Sequence, residues 1–159
     1  MEEISKFHTV RGYQLLQQNN RLLTSAMEDY LEMIYRNSLV EGFMRINTLS
    51  ELLNVAAPSA TKMVQKLNNL ALLEYKKYGL IFLTENGKEV GKYLLHRHNI
   101  IEIFLKNIGV KDDLLVETEL IEHNISAATL HKINIFNKFF DQNLEIGKKY
   151  EHFYEYFIE

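Results

Sequence analysis

"NTLSELLNVAAPSATKMVQKLNNLALLEYKKYGLIFLT", residues 47–84, changes its hydrophobic period once, and that change decides the fold. In the first segment Thr48 and Glu51 stand at capping-box spacing ahead of Leu49, Leu52 and Leu53, which predicts a short helix. A break at Val55–Ala57 precedes Pro58, the sole proline, at a favoured first helical position. The helix expected from there presents Met63, Val64, Leu67 and Leu70 as an apolar stripe. Two short helices across so short a turn make a helix-turn-helix candidate. From Leu73 the pattern becomes extended: Leu73–Tyr75 and Ile81–Leu83 read as strands of a hairpin turning at Lys77–Gly79. A hairpin directly after a helix-turn-helix is the layout of a winged helix.

The flanking segments are helical in period. "TSAMEDYLEMIYRNSL", residues 24–39, carries Met27, Tyr30, Leu31, Ile34 and Tyr35 on one face, with Thr24 or Ser25 as N-cap and Asp29, Glu32 and Arg36 opposite. "TENGKEVGKYLLHRHNIIEIFLKNIGV", residues 84–110, predicts a long helix through Val90, Leu94, Leu95, Ile101, Phe104 and Leu105, closed by Gly109. Two more helices are expected near 113–125 and 127–140, the second capped by Ser126, and the aromatic tail predicts a last one. The chain therefore reads as mainly α: a winged helix-turn-helix domain over 24–90, then an all-helical domain over 91–159, with 1–23 as an N-terminal extension.

Composition narrows the function classes. Of 159 residues, 47% are hydrophobic and 25% charged, as in ordinary globular proteins. No apolar run reaches the roughly 18 residues that suggest a membrane span. With no cysteine, disulfides, thiolate metal sites and cysteine nucleophiles are excluded. The N-terminus lacks a secretory pattern, so a cytoplasmic location is expected. The net charge of -3 hides an asymmetry: residues 58–92 carry +3, whereas residues 111–125 carry -4.

The expected second helix of the motif leaves Ser59, Thr61, Lys62, Gln65 and Lys66 on its solvent face. Hydroxyls and lysines suit phosphates, and glutamine can read adenine edges. Lys77 at the hairpin turn is a further phosphate contact candidate. At the other end, "ETELIEH", residues 117–123, sets Glu119, Glu122 and His123 at i, i+3 and i+4, one face of a helix. No lysine or arginine lies within a turn along that helix, which weakens the reading as a solvated face; facing a second acidic turn and a histidine, it would need a cation. Taken alone, Asp29 and Glu32 read as a solvated face with Glu32 paired to Arg36, and His98 as a hydrogen-bonded residue at the edge of an apolar stripe. Enzyme motifs are missing: there is no paired Glu-x-x-His, no His-Glu-x-x-His or His-x-x-Glu-His, and no phosphate-cradling glycine loop. The chain is not expected to be an enzyme.

In order and spacing, "SAMEDYLEMIY", "PSATKMVQKL", "GKYLLHRHNIIEIFLKNIGV" and "ETELIEHNIS" resemble the diphtheria-toxin-repressor-like metalloregulators, and within them the manganese-responsive transport regulators. The resemblance covers residues 24–140. It implies a winged-helix DNA-binding domain, a helical metal-binding and dimerisation domain, and a metal site on Asp29, Glu32, His98, Glu119, Glu122 and His123. It also implies a homodimer acting on double-stranded operator DNA as a repressor, with metal-uptake genes as targets. In the iron-responsive branch, methionine and cysteine occupy the positions matching Asp29 and Glu119. Four carboxylates and two imidazoles suit Mn²⁺, with Fe²⁺ as the alternative, and their charge balances two divalent ions per subunit. The chain is expected to lack the SH3-like third domain of the iron-responsive branch, and its wing has Tyr78 where many relatives carry arginine. The competing readings are an iron-responsive regulator of the same family, a winged-helix protein without regulatory metal, and a metal-buffering or hydrolytic protein that does not bind DNA.

Overall fold

The computed structural model describes residues 11–17 and 23–158. The rest of the N-terminal extension, 1–10 and 18–22, lies outside the described residues. The chain forms two compact units, one ending at Leu95 and one beginning at His96.

In the first unit, residues 11–17 are helical (α1). Helix α2 (Ser25–Glu41) begins at Thr24, whose Oγ1 accepts the Met27 N–H, and ends at Gly42 with φ 78°. Its buried stripe is Met27, Tyr30, Leu31 and Ile34, as the period requires. Strand β1 (Met44–Arg45) follows, then α3 (Ile46–Leu52) and α4 (Ala57–Asn69), with β2 (Leu73–Lys76) and β3 (Leu80–Leu83) behind them. The antiparallel sheet has the order β1-β3-β2, with Tyr75 opposite Ile81 and Met44 opposite Ile81 on the other side. Leu73, Ile81 and Leu83 point into the core beside Leu49, Val64 and Leu67.

The capping box does not form. Helix α3 starts at Ile46, two residues before Thr48, and Arg45 takes the N-cap place with no side-chain bond. Pairing of β1 with β3 fixes where the chain leaves the sheet, and the helix begins at that point. Thr48 is consequently interior to the helix. In α4, Ala60 is buried with Val64 and Leu67, whereas Met63 and Leu70 are only half-buried. Pro58 is the second residue of α4, still among the first-turn positions whose N–H groups lack helical partners. Between α3 and α4, Asn54 adopts φ 50° and the Val55 N–H bonds to the Ser50 carbonyl, which closes the turn of the motif.

The β2–β3 connection contains Tyr78 at φ 63°, ψ 22° and Gly79 at φ 71°. Left-handed backbone costs a side-chain-bearing residue about 1–2 kcal/mol, least for asparagine and aspartate. Tyr78 is neither, and it is 92% exposed.

Helix α5 (Glu85–Asn107) starts at Thr84, whose Oγ1 accepts from the Gly87 N–H and donates to the Ala71 carbonyl. Gly87 and Gly91, one turn apart, bring its first half close to its neighbours. A Cβ at Gly87 would overlap the Leu72 carbonyl oxygen, and one at Gly91 would fall 2.5 Å from Tyr35 Cβ.

In the second unit, α5 ends in paired bonds, Gly109 N–H to Lys106 O and Val110 N–H to Leu105 O, with Gly109 at φ 93°. Helices α6 (Leu114–Glu122), α7 (Ala127–Gln142) and α8 (Leu144–Ile158) follow, α7 capped by Ser126 as expected. Asn137 is buried on α7, donating to the Ile100 carbonyl at 2.8 Å and accepting from Asn107 at 3.2 Å. An aromatic series, Phe104, Phe136, Phe140, Tyr150 and Tyr154, joins α5, α7 and α8.

Glycine substitutions test this packing. Gly87→Ala should destabilise the protein by about 1–3 kcal/mol or more, because backbone must move to admit a methyl group. Gly147→Ala meets only a Phe140 ring carbon at 3.8 Å, and should be neutral or gain about 0.5–1 kcal/mol from helix propensity. Urea unfolding of both variants checks the opposite signs.

Candidate metal centre and nucleic-acid interface

Three of the six expected metal ligands converge in the second unit. His98, on α5, and Glu122, at the end of α6, are 6% and 1% exposed. Nδ1 of His98 lies 3.0 Å from Oε2 of Glu122. His123 follows at the C-cap of α6, its Nε2 3.8 Å from Oε1 of Glu122. Glu119, one turn earlier on α6, is exposed.

One cation in this cluster was not foreseen. The expectation of no basic residue near the "ETELIEH" face holds along α6, but Arg97 reaches it from α5, its Nη2 3.3 Å from Nδ1 of His123. A guanidinium only donates, so this nitrogen of His123 presents its lone pair. That lone pair is taken by Arg97, which leaves Nε2, on the Glu122 side, as the nitrogen a metal ion would use. The available signal was a charged residue within the apolar stripe: Arg97 follows Leu94 by three residues and precedes Ile101 by four. It is 4% exposed.

The other two expected ligands lie in the first unit, one turn apart on α2. Asp29 is half-buried and Glu32 is buried, so the solvated face expected for this pair does not form; Glu32 accepts through Oε1 from the Arg36 guanidinium, the i,i+4 pair expected from the sequence. Taken as chemistry, the six residues supply oxygen and nitrogen donors with no thiolate. Such a set fits a hard or borderline divalent ion.

The first unit also carries the nucleic-acid candidates. Ser59, Lys62, Gln65 and Lys66 are exposed on α4 and Thr61 is half-buried, so the face opposite Ala60, Val64 and Leu67 is open. At the hairpin, Lys77 is exposed. Its neighbour Lys76 is engaged within the sheet, 2.9 Å from Glu74 and 4.8 Å from the centre of the Phe82 ring.

Comparison with known proteins finds a DNA-binding and a metal-binding family domain in this order. Residues 22–80 match the family described as iron dependent repressor, N-terminal DNA binding domain, and residues 84–151 match iron dependent repressor, metal binding and dimerisation domain. The HTH-type transcriptional regulator MntR of Bacillus subtilis (strain 168) is 37% identical over 139 residues, covering 82% of this chain and 98% of that protein. Its counterpart in Bacillus pumilus (strain SAFR-032) is 39% identical over 125 residues, covering 78% and 87%. The solved structure of the manganese regulator SloR matches with a TM-score of 0.63 at 30% identity, over 72% of this chain and 54% of that one. The chain thus spans little more than half the length of SloR.

The α4 face generates a prediction that separates positioning from reading. Lys66→Ala should weaken binding to duplexes of every sequence and lower the salt slope by about 0.9, the loss of one phosphate contact. Gln65→Ala should instead relax discrimination at one base pair by about 1–3 kcal/mol. Salt-dependent binding to a selected duplex and to its single-base variants measures both. Unchanged affinity in both variants would remove α4 from the interface.

Proposed function

This chain belongs to the iron-dependent repressor family of metal-dependent DNA-binding transcriptional regulators, and on that premise we propose that it is a manganese-responsive repressor of metal-uptake genes. The observation that carries the reading is the buried His98–Glu122 pair with His123 beside it, in a chain without cysteine. We take the DNA-binding domain as residues 24–90 and the metal-binding and dimerisation domain as 91–159. The role is regulatory rather than catalytic. No helix among the described residues is long and apolar enough to cross a membrane, and we place the protein in the cytoplasm.

The proposed ligands are Asp29 and Glu32 from the first domain and His98, Glu119, Glu122 and His123 from the second. When bound, divalent ions supply charge to neutralise four carboxylates; two Mn²⁺ per subunit balance them. Glu122 and Glu32 would offer carboxylate oxygens and His98 and His123 imidazole nitrogens, while Arg97 orients the His123 ring through Nδ1. Donors drawn from two domains make metal occupancy and domain arrangement mutually dependent. In a homodimer that arrangement sets the spacing of two α4 helices against half-sites about 34 Å apart. Affinity for DNA then rises through a population shift. Apolar side chains exposed on the second domain, among them Leu115, Val116, Leu120, Ile135 and Phe139, are available to a second copy.

The test is a metal titration. Wild type and Asp29→Met are each used to bind a duplex selected from a randomised pool, with Mn²⁺, anaerobic Fe²⁺, Zn²⁺ or chelator. Mn²⁺ should raise wild-type affinity by about 5- to 150-fold over chelator, the usual range of such coupling. Zn²⁺ should bind tightly and activate poorly, because it prefers four tetrahedral ligands. Asp29→Met should shift the response toward Fe²⁺, since sulfur favours softer ions. Equal affinity with Mn²⁺ and chelator would overturn the regulatory reading, and full activation by Zn²⁺ would overturn the selectivity.

A further inference from the structure

The wing tip holds a residue that the fold does not explain. Tyr78 adopts φ 63°, a conformation that strains a bulky side chain, directly before Gly79. Strain of this kind is ordinarily offset by packing or by a hydrogen bond within the chain. Here the side chain is 92% exposed, and its ring and hydroxyl make no contact with another ring and no hydrogen bond among the described residues. Asn54 and Asp113, which share the positive φ, are residue types that tolerate it, and Ala71 has its carbonyl held by Thr84. Tyr78 alone among these non-glycine residues combines strain, bulk and full exposure.

We propose that Tyr78 is a DNA-backbone contact, its hydroxyl donating to a phosphate oxygen while the strained turn holds the ring clear of the sheet. This rests on the DNA-binding reading above and adds to it a residue that neither composition nor charge marks. Three observations favour a phosphate partner. Tyrosine is among the side chains that donate to phosphates. The adjacent Lys77 is exposed and has no ion pair among the described residues, so the tip is locally basic. Lys76, by contrast, pairs with Glu74 and lies over the Phe82 ring, so of the two lysines Lys77 alone lacks an ion pair among the described residues. Because the hydroxyl is neutral, its contact releases no counterion, and its loss leaves the salt slope unchanged.

The experiment compares wild type, Tyr78→Phe, Tyr78→Gly and Lys77→Ala, all Mn²⁺-loaded, on the duplex that the wild type selects from a randomised pool. Tyr78→Phe and Tyr78→Gly should each bind about 3- to 10-fold more weakly with the wild-type salt slope, the range expected for one lost hydrogen bond. Lys77→Ala should lower the slope by about 0.9. Tyr78→Gly should meanwhile raise the urea midpoint, since glycine relieves the backbone, so weaker binding cannot be put down to poorer folding. Wild-type affinity in either Tyr78 variant overturns the proposal. If the wild type selects no duplex at all, the DNA-binding reading fails instead, and the proposal falls with it.

Discussion

A carboxylate that is 1% exposed, set between two imidazoles, is the tightest electrostatic constraint in the second unit. Withdrawing a carboxylate from water in its ionised form costs several kcal/mol after relaxation, and close hydrogen bonds and counter-charge must offset it. The long helix α5 brings His98 to within 3.0 Å, and the end of α6 presents Glu122 and His123 in succession. Arg97 then stands at the far nitrogen of His123. Each of these side chains restricts the next, so their nitrogen and oxygen atoms are oriented by interactions within the second unit. Preorganisation of this kind limits the entropy lost when a ligand binds.

The first domain meets a different requirement, which is to hold one short helix open to solvent while burying everything behind it. Leu49, Val64, Leu67 and Ile81 are fully buried, and they tie α3, α4 and the sheet into one core. Gly87 and Gly91 let α5 approach the backbone at Leu72 and the Tyr35 side chain, and so complete that core. The open face of α4 and the strained wing tip lie outside it. Buried packing is thus concentrated behind these surfaces, and the strained residue Tyr78 lies at the rim.

Much of this was legible in the sequence because it follows from period. The stripe Met27–Ile34, the Ser126 cap, the Gly109 termination and the β2–β3 hairpin each express a local rule that the fold leaves intact. Strand β1 was not legible: two residues are too few to show alternation, and Met44 and Arg45 are defined as strand only by their partners on β3. The same pairing displaced the start of α3 and made Thr48 and Glu51 a misleading capping signal. Arg97 escaped for a related reason, since it meets His123 across 26 positions of sequence, and spacing along α6 carries no trace of it. The six ligand types could be named from the family resemblance. The pairing of His98 with Glu122 had to come from the structure.

The central claim is that Glu122 serves a divalent cation rather than only His98. Glu122→Gln keeps the shape and removes the charge, so Mn²⁺ binding and unfolding can be measured on the same protein. The account predicts that Glu122→Gln stays folded, retains weak binding to duplex DNA, and loses both tight Mn²⁺ uptake and the Mn²⁺-dependent gain in DNA affinity. A folded Glu122→Gln protein whose DNA affinity still rises with Mn²⁺ as the wild type's does would contradict it.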